Sequence, residues 1–452
     1  MTATAILGLG ASGNAAARLA LHQGEEVYVS DLRTDAPTAT RAADLRALGA
    51  DVQLGEHDVG RLVTADTVVV SPGIPPDAPV LRTLRARGVR WISEPEYAFR
   101  FLHGALIAVT GTNGKTTTCV LTAHLLREGR VQVALGGNLG GGLAPAASEL
   151  PLLDPAPEWV VLEMSSFQLA DIDAFRPDIG VVTTLAPDHL DRYPSVQAYY
   201  ADKARLFENA DSRCRWVLNG DVPEVESLAG DAPGARYRFS LGRGPEMNAY
   251  LANEVLTLRV GEKEEPLLPV SELPLLGRHN VANALAAALV ARLVGVTAVE
   301  IAQGLRTASP LPHRLEAVAE DAGILWVNDS KATNVAAAVS AILSLDRPLL
   351  LLLGGKDKGE DLAPLARAAR GRVRVAICYG AAGARIADAL EDAGAPVVRV
   401  DGGLNLAVEV AREQAQEGDV VLLAPACSSF DEFENYEDRG RRFTLLARRE
   451  AA

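Results

Sequence analysis

The run Val109-Thr-Gly-Thr-Asn-Gly-Lys-Thr-Thr-Thr118 holds the residue types that cradle a polyphosphate. Gly111 and Gly114 allow the backbone angles that turn successive N–H groups inward. A helix opening at Lys115 adds the positive end of its dipole. Lys115 can reach the outer phosphates, and the hydroxyl of Thr116 suits a magnesium ion. Thr112, Asn113 and Thr117 complete the loop. The first glycine of the general pattern is Val109 here, so a plain turn between strand and helix is the competing reading. The strand-to-helix context favours a triphosphate.

A second glycine-rich turn, Gly8-Leu-Gly-Ala-Ser-Gly13, also follows an apolar run, and Asp31 ends the next one. That spacing fits a dinucleotide, but its physics asks only for a diphosphate on a helix N-terminus beside a ribose or uridine. A nucleotide-sugar diphosphate meets the same demand, and a structural turn without ligand is the bland alternative. Nothing later in the chain resembles hydride-transfer machinery. Four further groups could serve the phosphate loop. Asn138 lies in the turn Gly136-Gly-Asn-Leu-Gly-Gly141. Glu163 ends the apolar run begun by Trp159, where a parallel sheet presents metal ligands. Asp188, His189 and Asp191 follow another apolar run. Lys203 falls in a helical pattern and, by pattern alone, reads as a solvated surface lysine.

The elements that must position these residues are short apolar runs alternating with Ala/Leu-rich amphipathic stretches. This rhythm predicts α/β units with mainly parallel sheets. Three domains are expected, at residues 1–93, 94–308 and 309–452: Rossmann-like, then a central P-loop sheet, then Rossmann-like again. Residues 236–269 alternate differently and predict a small β insertion, a hairpin or antiparallel sheet. A helix is expected over 282–294. The 452 residues are 48% hydrophobic and carry a net charge of −14, which argues against a nucleic-acid partner. Residues 349–353 are too short to span a membrane. Cys119, Cys214, Cys378 and Cys427 lack metal or disulfide spacing, and no signal peptide is read at the start. A cytoplasmic protein acting on small molecules as a monomer is expected.

Taken together, these motifs resemble the Mur ligase family, the ATP-dependent amide ligases of peptidoglycan precursor synthesis. Asn328-Asp-Ser-Lys-Ala-Thr-Asn334, Gly136-Gly-Asn-Leu-Gly, Leu352-Leu-Gly-Gly-Lys-Asp-Lys-Gly and Pro425-Ala-Cys-Ser-Ser-Phe-Asp resemble its D-glutamate-adding branch. The resemblance implies that Lys203 is carbamylated. With His189 it would then hold a second magnesium ion, while Thr116 and Glu163 serve the first. Lys115, Glu163, His189 and Lys203 are thus the expected catalytic set. The resemblance also implies ATP contacts at Asn283, Arg314, Asp329 and Lys331, completing the site across a domain boundary. Ala11, Ser12, Leu32, Arg33, Gly73 and Asn138 would take the UDP substrate. Thr333, Lys356, Ser429 and Tyr436 would take D-glutamate; Tyr436 stands where one member of the family has Phe. The implied reaction joins D-glutamate to UDP-N-acetylmuramoyl-L-alanine through an acyl phosphate. A folylpolyglutamate synthase, which should lack the N-terminal glycine-rich domain, and a non-catalytic nucleotide-sugar sensor are the rivals.

Overall fold

The computed structural model describes residues 2–139, 142–190 and 192–450. Asp191, and Gly140 and Gly141 of the 136–141 turn, lie outside them. Three sheets carry the chain. The first orders five parallel strands as Asp51–Leu54, Glu26–Asp31, Ala3–Leu7, Thr67–Val70 and Ile92–Ser93. Ala3–Leu7 lies at its centre, which is why Ala5, Ile6 and Leu7 are wholly buried and Thr4 is the strand's one polar residue.

The second sheet has nine strands. Val133–Gly137, Trp159–Glu163, Ala105–Thr110, Ile179–Val182, Arg215–Asn219 and Ala235–Ser240 run parallel side by side. Ala249–Ala252, Val255–Arg259 and Glu264–Pro269 extend the same edge. The expected small β insertion therefore does not form a sheet of its own. Its first strand joins the parallel run, and antiparallel pairing begins only between Ala249–Ala252 and Val255–Arg259. The third sheet orders Glu316–Asp321, Ile324–Asn328, Val420–Ala426, Leu349–Gly354, Val373–Tyr379 and Val397–Arg399. Only its first pair is antiparallel. Leu349 to Leu353 are all fully buried, as their shortness and apolarity require.

Two compact units result. One holds the chain up to Leu267 together with Ala284–Gly304; the other holds Leu268–Asn283 together with the chain from Leu305. The helix Arg278–Val294 begins a turn earlier than expected and contributes to both. No helix among the described residues is long and apolar enough to cross a membrane.

Candidate active site

Strand Ala105–Thr110 ends in the loop 111–114, and helix Lys115–Glu128 begins directly after it. Gly111 adopts φ +139° and Gly114 φ +87°. A Cβ on Gly111 would meet Thr183 Oγ1 at 2.1 Å, so only glycine closes this turn. The loop is moulded from beside: Thr112 N donates to Thr184 O at 2.7 Å, Asn113 N to Thr184 Oγ1 at 2.9 Å, and Thr183 Oγ1 to Asn113 O at 2.6 Å. Gly114 caps the helix without a side chain, which leaves the first-turn amides turned toward the loop mouth.

Five of the side chains singled out from the sequence, Lys115, Thr116, Asn138, Glu163 and Lys203, meet at this loop and the first turn of its helix. Thr116 Oγ1 donates to Glu163 Oε2 at 2.6 Å. Asn138 Nδ2 donates to Glu163 Oε1 at 3.3 Å. The backbones agree, because Asn138 N donates to Glu163 O at 2.9 Å and a Cβ on Gly137 would strike that carbonyl. Lys115 Nζ donates to Gly111 O at 3.1 Å and Thr112 O at 2.8 Å. Lys203, on helix Val196–Ala204, donates from Nζ to the same Gly111 O at 2.8 Å.

Lys203 is only 1% exposed, so the surface-lysine reading of its pattern is overturned. Burial, and then the charge of Lys115, push its amine well below the ordinary lysine value; Asp188, Glu163 and Asp202 oppose this without prevailing. The Tyr199 ring lies under Nζ at 4.6 Å, and its hydroxyl donates to Thr112 Oγ1 at 3.3 Å. His189 takes a left-handed backbone (φ +55°), with Asp188 Oδ1 accepting its N–H at 2.8 Å. Its ring meets Phe167 edge-on at 5.1 Å.

The donor set suits a hard cation in part. A Thr hydroxyl against a buried carboxylate is oxygen-rich and small, matching magnesium, which takes few protein ligands and completes its shell with phosphates and water. Among the described residues no group of three His, Cys, Asp or Glu side chains that could hold a metal ion is found. An unmodified Lys203 does not fit a cation; an oxygen ligand there requires a carbamate.

At the first sheet, a Cβ on Gly13 would lie 1.8 Å from Gly8 O, whereas one on Gly10 would meet nothing within 4 Å. The protein's own packing thus demands glycine at 13 but not at 10, whose backbone faces open space. Ala11 and Ser12 open the helix Ala11–His22. Asp31 accepts from Leu9 N at 2.6 Å and from the Arg33 guanidinium at 2.7 and 3.1 Å. Burial alone would raise its pKa, but the bonds from Arg33 and Leu9 overcome it and hold it at about 2. Leu32, 61% exposed, and Gly73 lie open to solvent.

In the second unit Asn283 Nδ2 donates to Asn280 Oδ1 at 3.2 Å. Asp329 Oδ1 accepts Leu315 N at 3.2 Å, the residue after Arg314. Burial pushes Asp329 up to about 7, against the Leu315 bond and the Arg314 charge. Lys331 Nζ sits 3.9 Å from the centre of the Tyr436 ring. Thr333 N donates to Lys331 O at 2.7 Å. Lys356 N donates to Ser428 O at 2.8 Å, next to the buried Ser429. Three contributors escaped the sequence reading. Arg439, 1% exposed, donates to Ser330 O, Cys427 O and Ser428 O and so laces together the loops bearing Lys331 and Ser429. Lys358 is a second exposed cation on the Lys356 loop. Arg192 follows His189 in the same turn. Lys358 lies inside the 352–359 run without a role read for it there; the two arginines have no spacing signature, because an arginine in a helical or loop pattern reads as solvated.

Fold and site define a class, an α/β protein with a strand–Gly-Lys-Thr–helix loop, a second glycine-rich turn and a lysine buried beside the first loop. Family models described as Mur ligase MurD-like N-terminal domain, Mur ligase middle domain and Mur ligase glutamate ligase domain match residues 2–93, 109–291 and 313–427. The chain belongs to the Mur ligase family. It is 42% identical to the UDP-N-acetylmuramoylalanine--D-glutamate ligase of Acidobacterium capsulatum, over 99% of this chain and 96% of that one. The protein of the same name from Myxococcus xanthus is 41% identical, over 98% and 97%. Among solved structures, a pseudomurein peptide ligase type C from Methanothermus fervidus superposes with TM-score 0.63 at 19% identity, covering 98% of this chain and 99% of that one. The MurF ligase from Thermotoga maritima in complex with ADP gives 0.62 at 14%, covering 94% and 95%. At such identities these two likenesses speak to the fold.

Proposed function

We propose that this chain is an ATP-dependent ligase that joins D-glutamate to UDP-N-acetylmuramoyl-L-alanine in the cytoplasm. The observation that carries the reading is the convergence of Lys115, Thr116, Glu163 and a buried Lys203 on one phosphate loop. It occurs in a chain that matches ligases of that name from end to end. The four cysteines are free and buried, which suits a reducing compartment.

The substrate carboxylate attacks the γ-phosphorus of ATP; the bond to ADP breaks and an acyl phosphate forms. The D-glutamate nitrogen adds to its carbonyl, phosphate leaves, and a proton is lost to give the amide. Lys115 lets go of the Gly111 and Thr112 carbonyls and turns its ammonium to the transferring phosphoryl group. Thr116 and Glu163 would hold one magnesium ion, and His189 with a Lys203 carbamate a second. When bound, the ions cancel charge building on the phosphoryl and carboxyl oxygens. Burial shifts Lys203 toward its neutral amine, the form that adds to carbon dioxide with loss of one proton. Asn138 lies beside Glu163 to orient the acceptor substrate. Asn283, Arg314, Asp329 and Lys331 are the second unit's ATP candidates. Thr333, Lys356, Ser429 and Tyr436, with Lys358 nearby, are its D-glutamate candidates. Ala11, Ser12, Leu32, Arg33 and Gly73 line the nucleotide-sugar end. An acyl phosphate hydrolyses in water, so the enzyme must exclude solvent while it lives.

Phosphate release measured with ATP, the UDP substrate and single amino acids tests this. Release that depends on D-glutamate is expected. Release with L-glutamate and a folate, or none with any amino acid, would overturn the reading.

A further inference from the structure

The turn that carries His189 is bound to the nucleotide-sugar end of the same unit by one side chain. Arg192 donates from Nη1 to Pro72 O and from Nη2 to Ile74 O, both at 3.2 Å, spanning the exposed Gly73. That segment is itself a closed turn, because Ile74 N donates to Ser71 O at 3.0 Å. Ser71 Oγ then donates to Gly8 O at 3.1 Å, in the first glycine-rich turn. A Cβ on Gly8 would press on Ser71 at 2.9 Å, so the two turns are in tight contact.

At its other end Arg192 is part of the His189 turn. Arg192 N and Tyr193 N both donate to His189 O, at 2.9 and 3.0 Å. The Arg192 guanidinium lies 4.0 Å from the centre of the Phe167 ring. The same ring meets His189 edge-on and stacks on Tyr193 at 5.5 Å and 9°. Arg192 Nε is buried with no partner among the described residues, so two carbonyls and one ring hold the head group. Phe167 follows Ser166 on the short helix after strand Trp159–Glu163, which ends in the catalytic carboxylate candidate. An unbroken path of contacts therefore runs from Gly8 through Ser71, the 72–74 carbonyls and Arg192 to the His189 imidazole.

We propose that Arg192 is a positioning residue that couples occupation of the nucleotide-sugar end, at Gly8 to Gly13 and Gly73, to the setting of His189. The proposal rests on the ligase reading for what occupies that end, a uridine diphosphate group. A planar fork is needed to bridge two carbonyls while stacked on a ring; an ammonium can satisfy one carbonyl at a time. Arg192→Lys should therefore be intermediate and Arg192→Met fully uncoupled.

Hydrogen exchange read by mass spectrometry, with uridine diphosphate as the probe, tests the coupling apart from catalysis. In the unaltered protein the probe should slow exchange in peptides covering residues 8–13 and also in those covering 186–194. In Arg192→Met the first protection should remain and the second should vanish. Turnover should show the same split: KM for the UDP substrate up about fivefold or more, kcat lowered, and KM for ATP within about twofold. Protection at 186–194 retained in Arg192→Met, or absent in the unaltered protein, overturns the coupling. Loss of D-glutamate-dependent phosphate release in the unaltered protein overturns the ligase reading instead. Should Arg192→Met fail to fold by thermal unfolding, Phe167→Leu, which removes the ring under the guanidinium, must lose the same second protection.

Discussion

Two amines share one carbonyl at the heart of this site, and their surroundings separate their roles. Lys115 lies at the loop mouth on the Gly111 and Thr112 carbonyls, both replaceable by phosphate oxygens. Lys203 is sealed beneath, against Gly111 O and the Tyr199 ring, and burial makes its charged form costly. A buried amine pushed toward its neutral form is a weaker phosphate ligand and a better nucleophile toward carbon dioxide than an exposed ammonium. Lys203→Ala should therefore lower kcat by about a hundredfold or more, a loss like that of one preorganised transition-state contact. A short carboxylate such as acetate should restore part of it by filling the vacated space with oxygen ligands. Phosphate-release rates with and without acetate check this. Near-normal turnover in Lys203→Ala would remove the carbamate from the mechanism.

At the scale of elements, three loops of the third sheet are laced together around the D-glutamate candidates. The Lys356 loop pairs with Ser428 and is clasped by Arg385, whose Nη1 reaches both Asp357 carboxylate oxygens at 2.8 Å and whose Nη2 reaches Glu360 O at 2.7 Å. Glu360 Oε2 accepts Val335 N at 3.0 Å, tying that loop to the start of helix Val335–Leu343, two residues after Thr333. Arg439 draws in the loop before Ser429 from below. The Arg385–Asp357 pair is half exposed, so it contributes little to global stability. Its effect is on the shape of the loop. Arg385→Met should raise KM for D-glutamate several-fold and leave KM for ATP and for the UDP substrate within about twofold. Steady-state kinetics with each substrate varied in turn measures this, and a uniform rise in all three constants would point to general loosening.

Across the whole first unit, the passage from the five-stranded to the nine-stranded sheet hides an acid. Glu94, 1% exposed, accepts Ser148 N, while its Oε2 has no partner among the described residues. Burial pushes it up to about 7, against the Ser148 bonds and with help from Glu149. The sign follows from the raised pKa. The unfolded carboxyl ionises near its ordinary value, whereas the folded one keeps its proton until about pH 7. Ionised Glu94 therefore penalises the fold progressively from about pH 4.5, and fully above pH 7, by up to about 3 kcal/mol. Glu94→Gln mimics the protonated form. Its thermal midpoint should match the unaltered protein near pH 4 and exceed it at pH 8. A gap between the two proteins that is the same at both values would show that Glu94 does not titrate in this range.

Much of this was legible in the residues themselves. The phosphate loop, the Gly8 turn and the parallel strands are local patterns, in which glycine spacing and apolar run length each have a single economical backbone solution. The sheet edge at 236–269 was only half legible. Strand partners are chosen between distant segments, and Ala235–Ser240 found Arg215–Asn219 rather than a hairpin of its own. Lys203, Arg192 and Arg439 were opaque for the same cause. A cation in an amphipathic pattern gains most by hydration, and sequence cannot show when enough carbonyls and rings assemble elsewhere to hold it buried. Sequence alone determined the loop whose residue types suit a phosphate, because that depends on neighbours along the chain. Tertiary structure alone decided which cations leave water, because desolvation is balanced only by groups brought from far along the chain.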